Sequence, residues 1–421
     1  MTSQETAVTN YDCVIVGGGV VGLALGLALD QAGIRAAIIE RQDPATIDWD
    51  RFDGRALSVA HGQQQFLTML GAWDAIAPHA QAMKDILVTD GRVSEGAAPL
   101  YLHFDHRKST TGAPLAHMVE HRYIRKSLLD LAQSSKHCRL LHSVEMTKLD
   151  RQDKMVTIEL SDGTIVTTPL IVAAEGAMSP TRKALGFEVT GWDYNQKGIV
   201  TTVEHDLPHH GVAQEYFLPG GPFAVLPLPD DEQSGAHRAS LVWTEATDVA
   251  ETIMALDEDR FTEELRKRFG DYLGTVAPVG PRYSYPLRYQ QALDFAGPRA
   301  ALIGDAAHVV HPLAGQGMNL GLKDAAALAE VIVDASRLGL DWGSTAVLGR
   351  YEKWRRADTL GMAVVTDGLN RLFSNDNPIL RIVRDVGLAL VDRLEPVKRR
   401  LMAEAQAATG PLPRLMQGEK L

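Results

Sequence analysis

The chain has 421 residues, 45% of them hydrophobic and 23% charged, which suits two or three folded domains and excludes a disordered polymer. A formal net charge of −11 lacks the basic footprint of a general nucleic-acid binder, so no nucleic-acid partner is expected. The two cysteines, Cys13 and Cys138, lack metal-ligand or C-x-x-C spacing, which suits a reducing compartment. The opening "MTSQETAVTN" has no apolar signal core, and no apolar run approaches the ~18 residues of a membrane-spanning helix. A cytoplasmic location is expected.

The first informative stretch is "YDCVIVGGGVVGLALGLALDQAGIRAAIIER". Residues 11–16 read as a buried strand, 23–31 as an apolar helix and 36–39 as a second strand. Gly17, Gly19 and Gly22 form G-x-G-x-x-G between the first strand and the helix. The first glycine permits a tight turn, the second lets backbone approach a pyrophosphate, and the third lets the helix pack on the strand. The helix N-terminus offers free N–H groups and a positive dipole end to phosphate. Glu40 closes the second strand, near the ~20-residue spacing expected of an acid that binds ribose hydroxyls. An acid there suits FAD or NAD better than NADP.

Further along, 85–119 looks strand-rich, "RYIRKSLLDLAQSS" reads as a helix, and "KMVTIELSDGTIVTT" has the alternation and turn of a hairpin. "GIVTTVEH", "VAQEYFLPGGPFAVLPLPD" and "RASLVWTE" are strand candidates, followed by a helix over 258–269. Phe217, Phe223, Leu226, Pro227 and Trp243 are candidates to line a pocket for an apolar aromatic ligand. The chain is expected to return to the nucleotide fold at "YSYPL" and "RAALIGDAAH". There a strand ends in Asp305, placed for a ribityl hydroxyl. "PLAGQGMNLGLKDA" then opens a helix whose N–H groups can face a flavin ring, where reduced flavin carries negative charge. This loop favours FAD over NAD. His308 and His311 form H-x-x-H, but no further ligands complete a metal site, so no metal is expected.

The C-terminal part reads as helical. Between Arg381 and Arg400 it carries six basic residues (Arg381, Arg384, Arg393, Lys398, Arg399, Arg400) and three acids (Asp385, Asp392, Glu395). Packing on the substrate domain is expected of this region. The basic-apolar stretch 379–402 is also the candidate for contact with a membrane surface or a partner.

The glycine triplet, "DGRALSVA", "AAEGAMSPTR", "GDAAHVVHPLAGQGMNLGLKD" and "YEKWRRAD" together resemble the group A flavoprotein monooxygenases with the para-hydroxybenzoate hydroxylase fold. "GLNRLFSND" and the ending "TGPLPRLMQGEKL" make the chain most similar to their ubiquinone-biosynthesis branch. The resemblance implies an α/β fold: a Rossmann-like FAD-binding domain (1–84, 120–184 and 285–345), an interleaved α+β substrate domain (85–119 and 185–284) and C-terminal helices (346–421). It places Gly17, Gly19, Gly22, Glu40 and Arg41 at the adenosine side of FAD. Arg55 and Arg125 fall near its phosphates or ribityl chain, and Asp305 on the ribityl chain. Pro312, Gly315, Gln316, Gly317, Met318 and Asn319 fall along the flavin ring. Glu175 and Gly176 stand where the family usually has Asp-Gly, which leaves their role in FAD or NAD(P)H binding open. The implied activity is hydroxylation of a polyprenyl phenol with NADH or NADPH and O2, in contact with the membrane or a quinone-biosynthesis complex. Two alternatives stay open: an FAD-dependent reductase or dehydrogenase acting on an isoprenoid, and a non-enzymatic partner protein that retains FAD.

Overall fold

The computed structural model describes residues 8–93, 96–109, 111–311, 315, 317–373, 394–406 and 410–421. Its centre is a six-stranded sheet in the order Ala296–Gly297, Ala300–Leu302, Ile171–Ala173, Cys13–Val16, Ala36–Glu40, Cys138–His142. All pairs are parallel except the first. Strands covered on both faces read as continuous apolar runs, and Cys13–Val16 is buried throughout. Its alternation divides two cores. Cys13 and Ile15 face the helices Val20–Gln31, His121–Ser134 and Gly317–Arg337, whereas Val14 and Val16 meet Val156, Ile158 and Val166 of a four-stranded sheet. In that second layer Val156–Leu160 pairs antiparallel with Ile165–Thr168, as the hairpin pattern predicts.

An eight-stranded sheet forms the other half. Its order is His308–Val309, Val276–Ala292, Val189–His205, His237–Ala246, Gly221–Leu228, Val212–Leu218, Asp85–Arg92, Gly96–Asp105. Helices Thr247–Met254 and Glu258–Phe269 cover one face, burying Phe223, Trp243, Phe261 and Phe269 between them. The other face looks across a cavity to a three-stranded sheet of Ala56–Ala60, Ala116–Glu120 and Ala80–Met83.

Two expectations about organisation change. The segment "YSYPL" does not re-enter the nucleotide fold: it lies inside Val276–Ala292, a single strand that pairs with Val189–His205 along nearly its whole length. The described C-terminal residues pack on the nucleotide fold rather than on the eight-stranded sheet. Tyr351, in helix Thr345–Phe373, donates to Leu302 O at 2.7 Å, and Leu415 and Met416 enter the core around the Val20–Gln31 helix. Arg414 anchors this tail through Glu330 and Asp334 of the Gly317–Arg337 helix.

Candidate active site

The glycine turn is shaped by contacts that leave no room for a side chain. Gly17 has φ of +116°, and a Cβ there would lie 2.5 Å from Ala174 O. A Cβ on Gly22 would lie 2.0 Å from Gly17 O, so the helix sits directly on the turn. Gly19 faces open space and precedes the helix without a side-chain cap. The first N–H groups of Val20–Gln31 are therefore available to an anion.

Glu40 Oε2 accepts from Gly18 N–H at 2.7 Å and Oε1 from Gln42 N–H at 2.8 Å, which binds the acid to the edge of this turn. Arg41 is exposed beside it. From helix His121–Ser134, Arg125 donates to Gln42 Oε1 at 3.0 Å, while its Nε is buried with no acceptor among the described residues. Burial pulls the Arg125 pKa down, and nearby Glu40 opposes this only in part. A buried guanidinium with an unused donor beside an uncapped helix N-terminus fits a dinucleotide phosphate.

The second motif closes on the first. Gly304, at φ +60°, packs under the Gly317–Arg337 helix, where a Cβ on Gly321 would lie 3.1 Å from Gly304 Cα. Asp324 Oδ2 accepts from Gly304 N–H at 2.9 Å and lies 2.6 Å from His308 Nε2, and Asp324 Oδ1 accepts from Arg355 Nε at 2.7 Å. All three side chains are buried. This network fixes the loop that presents Asp305. The Asp305 carboxyl opens into the cavity, and loss of hydration among the surrounding atoms raises its pKa, with His308 opposing the shift.

The glutamate of "AAEG" has an identified partner set. Glu175 Oε2 accepts from Ser179 Oγ at 2.6 Å and from Thr181 N–H at 3.1 Å, capping helix Pro180–Ala184. Gly176 has φ of +85° in the turn between them. Arg182 then ties this turn to the Asp305 loop, donating to Ala306 O at 2.9 Å and Ala177 O at 2.8 Å.

Asn319 uses its side chain as a clamp rather than on a ligand. Nδ2 donates to Ser58 O at 2.8 Å, and Oδ1 accepts from Ala60 N–H at 3.3 Å. Gly317 begins the helix beside open space, and Met318 packs on the core. Pro312 and Gln316 lie outside the described residues.

The cavity measures about 430 Å3. Arg55, paired with Asp53, joins Asp305 and Gly315 at one end, and the eight-stranded sheet supplies Val200, Ala224, Leu226, Val242 and Leu287 at the other. Leu226 therefore lines it. Phe223 and Trp243 do not: they point to the opposite face and pack against Phe261 under the helices. Pro227 shares their face by alternation, and Phe217, though on the cavity face, lies outside the lining. The aromatic reading failed because both faces of this sheet are covered, so aromatic content does not mark the ligand side. His311 lines the cavity and meets Tyr194 edge-on.

A family model described as FAD binding domain matches residues 10–365. The chain belongs to this family of FAD-binding monooxygenases. Ubiquinone hydroxylase UbiL of Rhodospirillum rubrum is 43% identical over 413 residues, spanning 97% of this chain and 93% of its own. 3-Demethoxyubiquinol 3-hydroxylase of Escherichia coli is 33% identical over 406 residues, spanning 96% and 99%. The crystal structure of p-nitrophenol 4-monooxygenase PnpA from Pseudomonas putida superimposes with a TM-score of 0.77 at 21% identity, covering 96% of this chain and all of that one, which shows a shared fold. FAD is thus the monooxygenase's cofactor, and the unused Arg125 donor, the open Gly19 turn and the cavity-facing Asp305 suit its phosphates and ribityl chain. Arg182, His308, Asp324 and Arg355 have no role assigned from sequence. All four lie within the quoted motifs, but their partners are distant in the chain.

Proposed function

We propose that this monooxygenase hydroxylates the aromatic ring of a polyprenylated ubiquinone precursor, using NADH or NADPH and O2. The observation that carries the reading is the continuity of the apolar cavity with the Asp305–Gly315 end of the FAD site, combined with full-length similarity to ubiquinone hydroxylases. Gly17, Gly19, Gly22, Glu40 and Arg125 would hold the ADP half of FAD, and Arg55 and Asp305 would hold the side nearest the ring. Bound FAD supplies the electron transfer between the nicotinamide and O2. The chain contributes an oriented pocket whose apolar walls keep water from the reacting atoms. Glu175 belongs to the architecture of this site, through the cap it provides, rather than to NAD(P)H binding.

A polyprenyl tail keeps its ring at the bilayer. No helix among the described residues is long and apolar enough to cross a membrane. Collection at the membrane surface, or from a partner in quinone biosynthesis, follows. Arg399 and Arg400, exposed on helix Glu395–Ala405, are the described part of the basic-apolar stretch; residues 379–393 lie outside the description.

The test is in vitro turnover of a prenylated phenol. Oxygen-18 gas should label the new hydroxyl, with NAD(P)H oxidation matched to product. NAD(P)H oxidation without labelled product, for every prenylated phenol offered, would defeat the proposal. Consumption of an isoprenoid substrate without O2 would establish the reductase alternative.

A further inference from the structure

Of the cavity-lining residues drawn from the eight-stranded sheet, Glu215 is the one carboxylic acid. Its position follows from strand parity. Tyr216 and Leu218 turn toward the helix-covered core, which sends Glu215 and Ala213 to the cavity. Glu215 pairs across the sheet with Ala224, Ala224 with Val242, and Val242 with Val200. All three partners line the same cavity, so the carboxyl group stands at the end of an apolar row. On its other side it pairs with Val88. Among the described residues none donates a hydrogen bond or a counter-charge to it. Burial alone pushes its pKa up to about 7.

The surrounding titratable groups are engaged or lie on other walls. Asp90, on the neighbouring strand, accepts from Gly91 N–H at 3.1 Å. Strand Gly221–Leu228 offers only Pro222, Ala224 and Leu226 to the cavity. Tyr285 and Arg288 come from Val276–Ala292, Arg55 is paired with Asp53, and Asp305 and His311 belong to the loop at the flavin end. A buried carboxyl without a partner is costly to the fold. One that faces a ligand cavity is accounted for by a donor on the ligand.

We propose that Glu215 receives the hydroxyl of the substrate ring, accepting first its hydrogen bond and then its proton during oxygen transfer. The proposal rests on the aromatic hydroxylation proposed above. A phenol with a pKa near 10, like that of tyrosine, keeps its proton in the resting complex. As the ring attacks the electrophilic oxygen derived from O2, the phenol O–H bond breaks and the proton passes to Glu215. The electron pair left on the ring oxygen drives through the ring to the carbon that forms the new C–O bond. That carbon then releases its hydrogen to water as a proton, and the ring oxygen recovers its proton from Glu215. NAD(P)H supplies two electrons, one oxygen atom enters the product, the other leaves as water, and Glu215 ends as it began. Glu215 is thus a catalytic residue that touches the substrate.

The experiment uses the FAD-loaded protein, a short-chain prenylated phenol and its methyl ether. At pH 8, calorimetry should show the parent binding the phenol about tenfold to a hundredfold more tightly than the ether, as expected of a hydrogen bond to a charged acceptor. Glu215→Leu should erase that preference. Glu215→Gln should lower coupled hydroxylation about a hundredfold, within the usual range for a general base, while FAD content is unchanged. The parent rate should rise as pH passes about 7, and the Gln variant should lack this rise. An unchanged phenol preference in the Leu variant, or an unchanged rate and pH profile in the Gln variant, would overturn the assignment. Should either variant lose FAD, Glu215→Asp decides: a slower enzyme that keeps the rise supports the role, and loss of the rise rejects it. If the parent oxidises no prenylated phenol, the hydroxylase reading itself fails and takes this role with it.

Discussion

Asp324 shows how single residues hold this site. Burial opposes its charge, but the proximity of His308 and the charge and hydrogen bond of Arg355 outweigh that cost, so its pKa lies below the ordinary carboxylate value. Removing the cation should therefore be worse than removing a surface pair. Arg355→Met should cost about 3–5 kcal/mol, because it leaves a buried carboxylate partly uncompensated. A fall in thermal midpoint with early FAD release would be the observable result, and an unchanged midpoint would contradict it. The stability lent by Asp324 is complete above the unfolded carboxylate pKa of about 3.9 and is lost as pH falls through the lower native value. Asp324→Asn should thus be less stable at neutral pH and approach the parent in strong acid. Asp305→Ala should leave the fold intact while weakening FAD binding by about 1.5–3 kcal/mol, measured by fluorescence on FAD titration. Asp305 was legible in sequence because an acid closing an apolar strand has a recognisable place. Asp324 and Arg355 were visible only as letters in motifs, since their meaning lies in a contact between two helices. Glu215 was hidden in "VAQEYFL", where strand alternation alone does not say which face meets the ligand.

At the scale of elements, the strand–turn–helix unit was legible because its local chemistry and its fold coincide. Gly22→Ala tests that coincidence. Its Cβ would lie 2.0 Å from a backbone oxygen, which no side-chain rotation relieves. The helix must shift off the turn, so purified protein should carry little FAD even where it remains folded by circular dichroism. Normal FAD content in that variant would show that the turn tolerates the displacement. The "AAEG" element gives the opposite lesson. Sequence left Glu175 between cofactor binding and hydrogen bonding to backbone, and its partners Ser179 and Thr181 lie within the same short segment. Glu175→Gln retains an acceptor oxygen and removes the charge at the helix start, so a loss of about 1 kcal/mol in stability is expected, typical of a weakened cap. The Michaelis constant for NAD(P)H should stay unchanged, and a large rise in it would return Glu175 to the nucleotide site.

Across the whole molecule, the interleaving of the two halves makes the cavity, because strands from 85–105 and 189–292 form one sheet that must face the nucleotide fold. Hydrophobic pattern suggested separate strands but not the continuity of Val276–Ala292, whose prolines and tyrosines resemble a boundary. The C-terminal tail was misjudged for a related reason. Leu415 and Met416 look unremarkable in sequence, and only the acidic pair Glu330 and Asp334 on a distant helix explains why Arg414 brings them to the nucleotide fold. This docking fixes the chain on both sides of helix Glu395–Ala405, whose Arg399 and Arg400 remain exposed within an otherwise acidic protein. Exposed arginines on a protein of net charge −11 give a local attraction to anionic lipid against a general repulsion. Each contributes on the order of 1 kcal/mol at such a surface, and the attraction fades with salt. Arg399→Glu with Arg400→Glu should then reduce binding to phosphatidylserine vesicles at least tenfold in a flotation assay, with FAD content and thermal midpoint unchanged. Turnover of a long-chain prenylated phenol in vesicles should fall, while turnover of a water-soluble analogue should not. Equal loss with both substrates would place the two arginines in the fold or the catalytic cycle, and parent protein that does not float with vesicles would leave delivery by a protein partner as the route to the cavity.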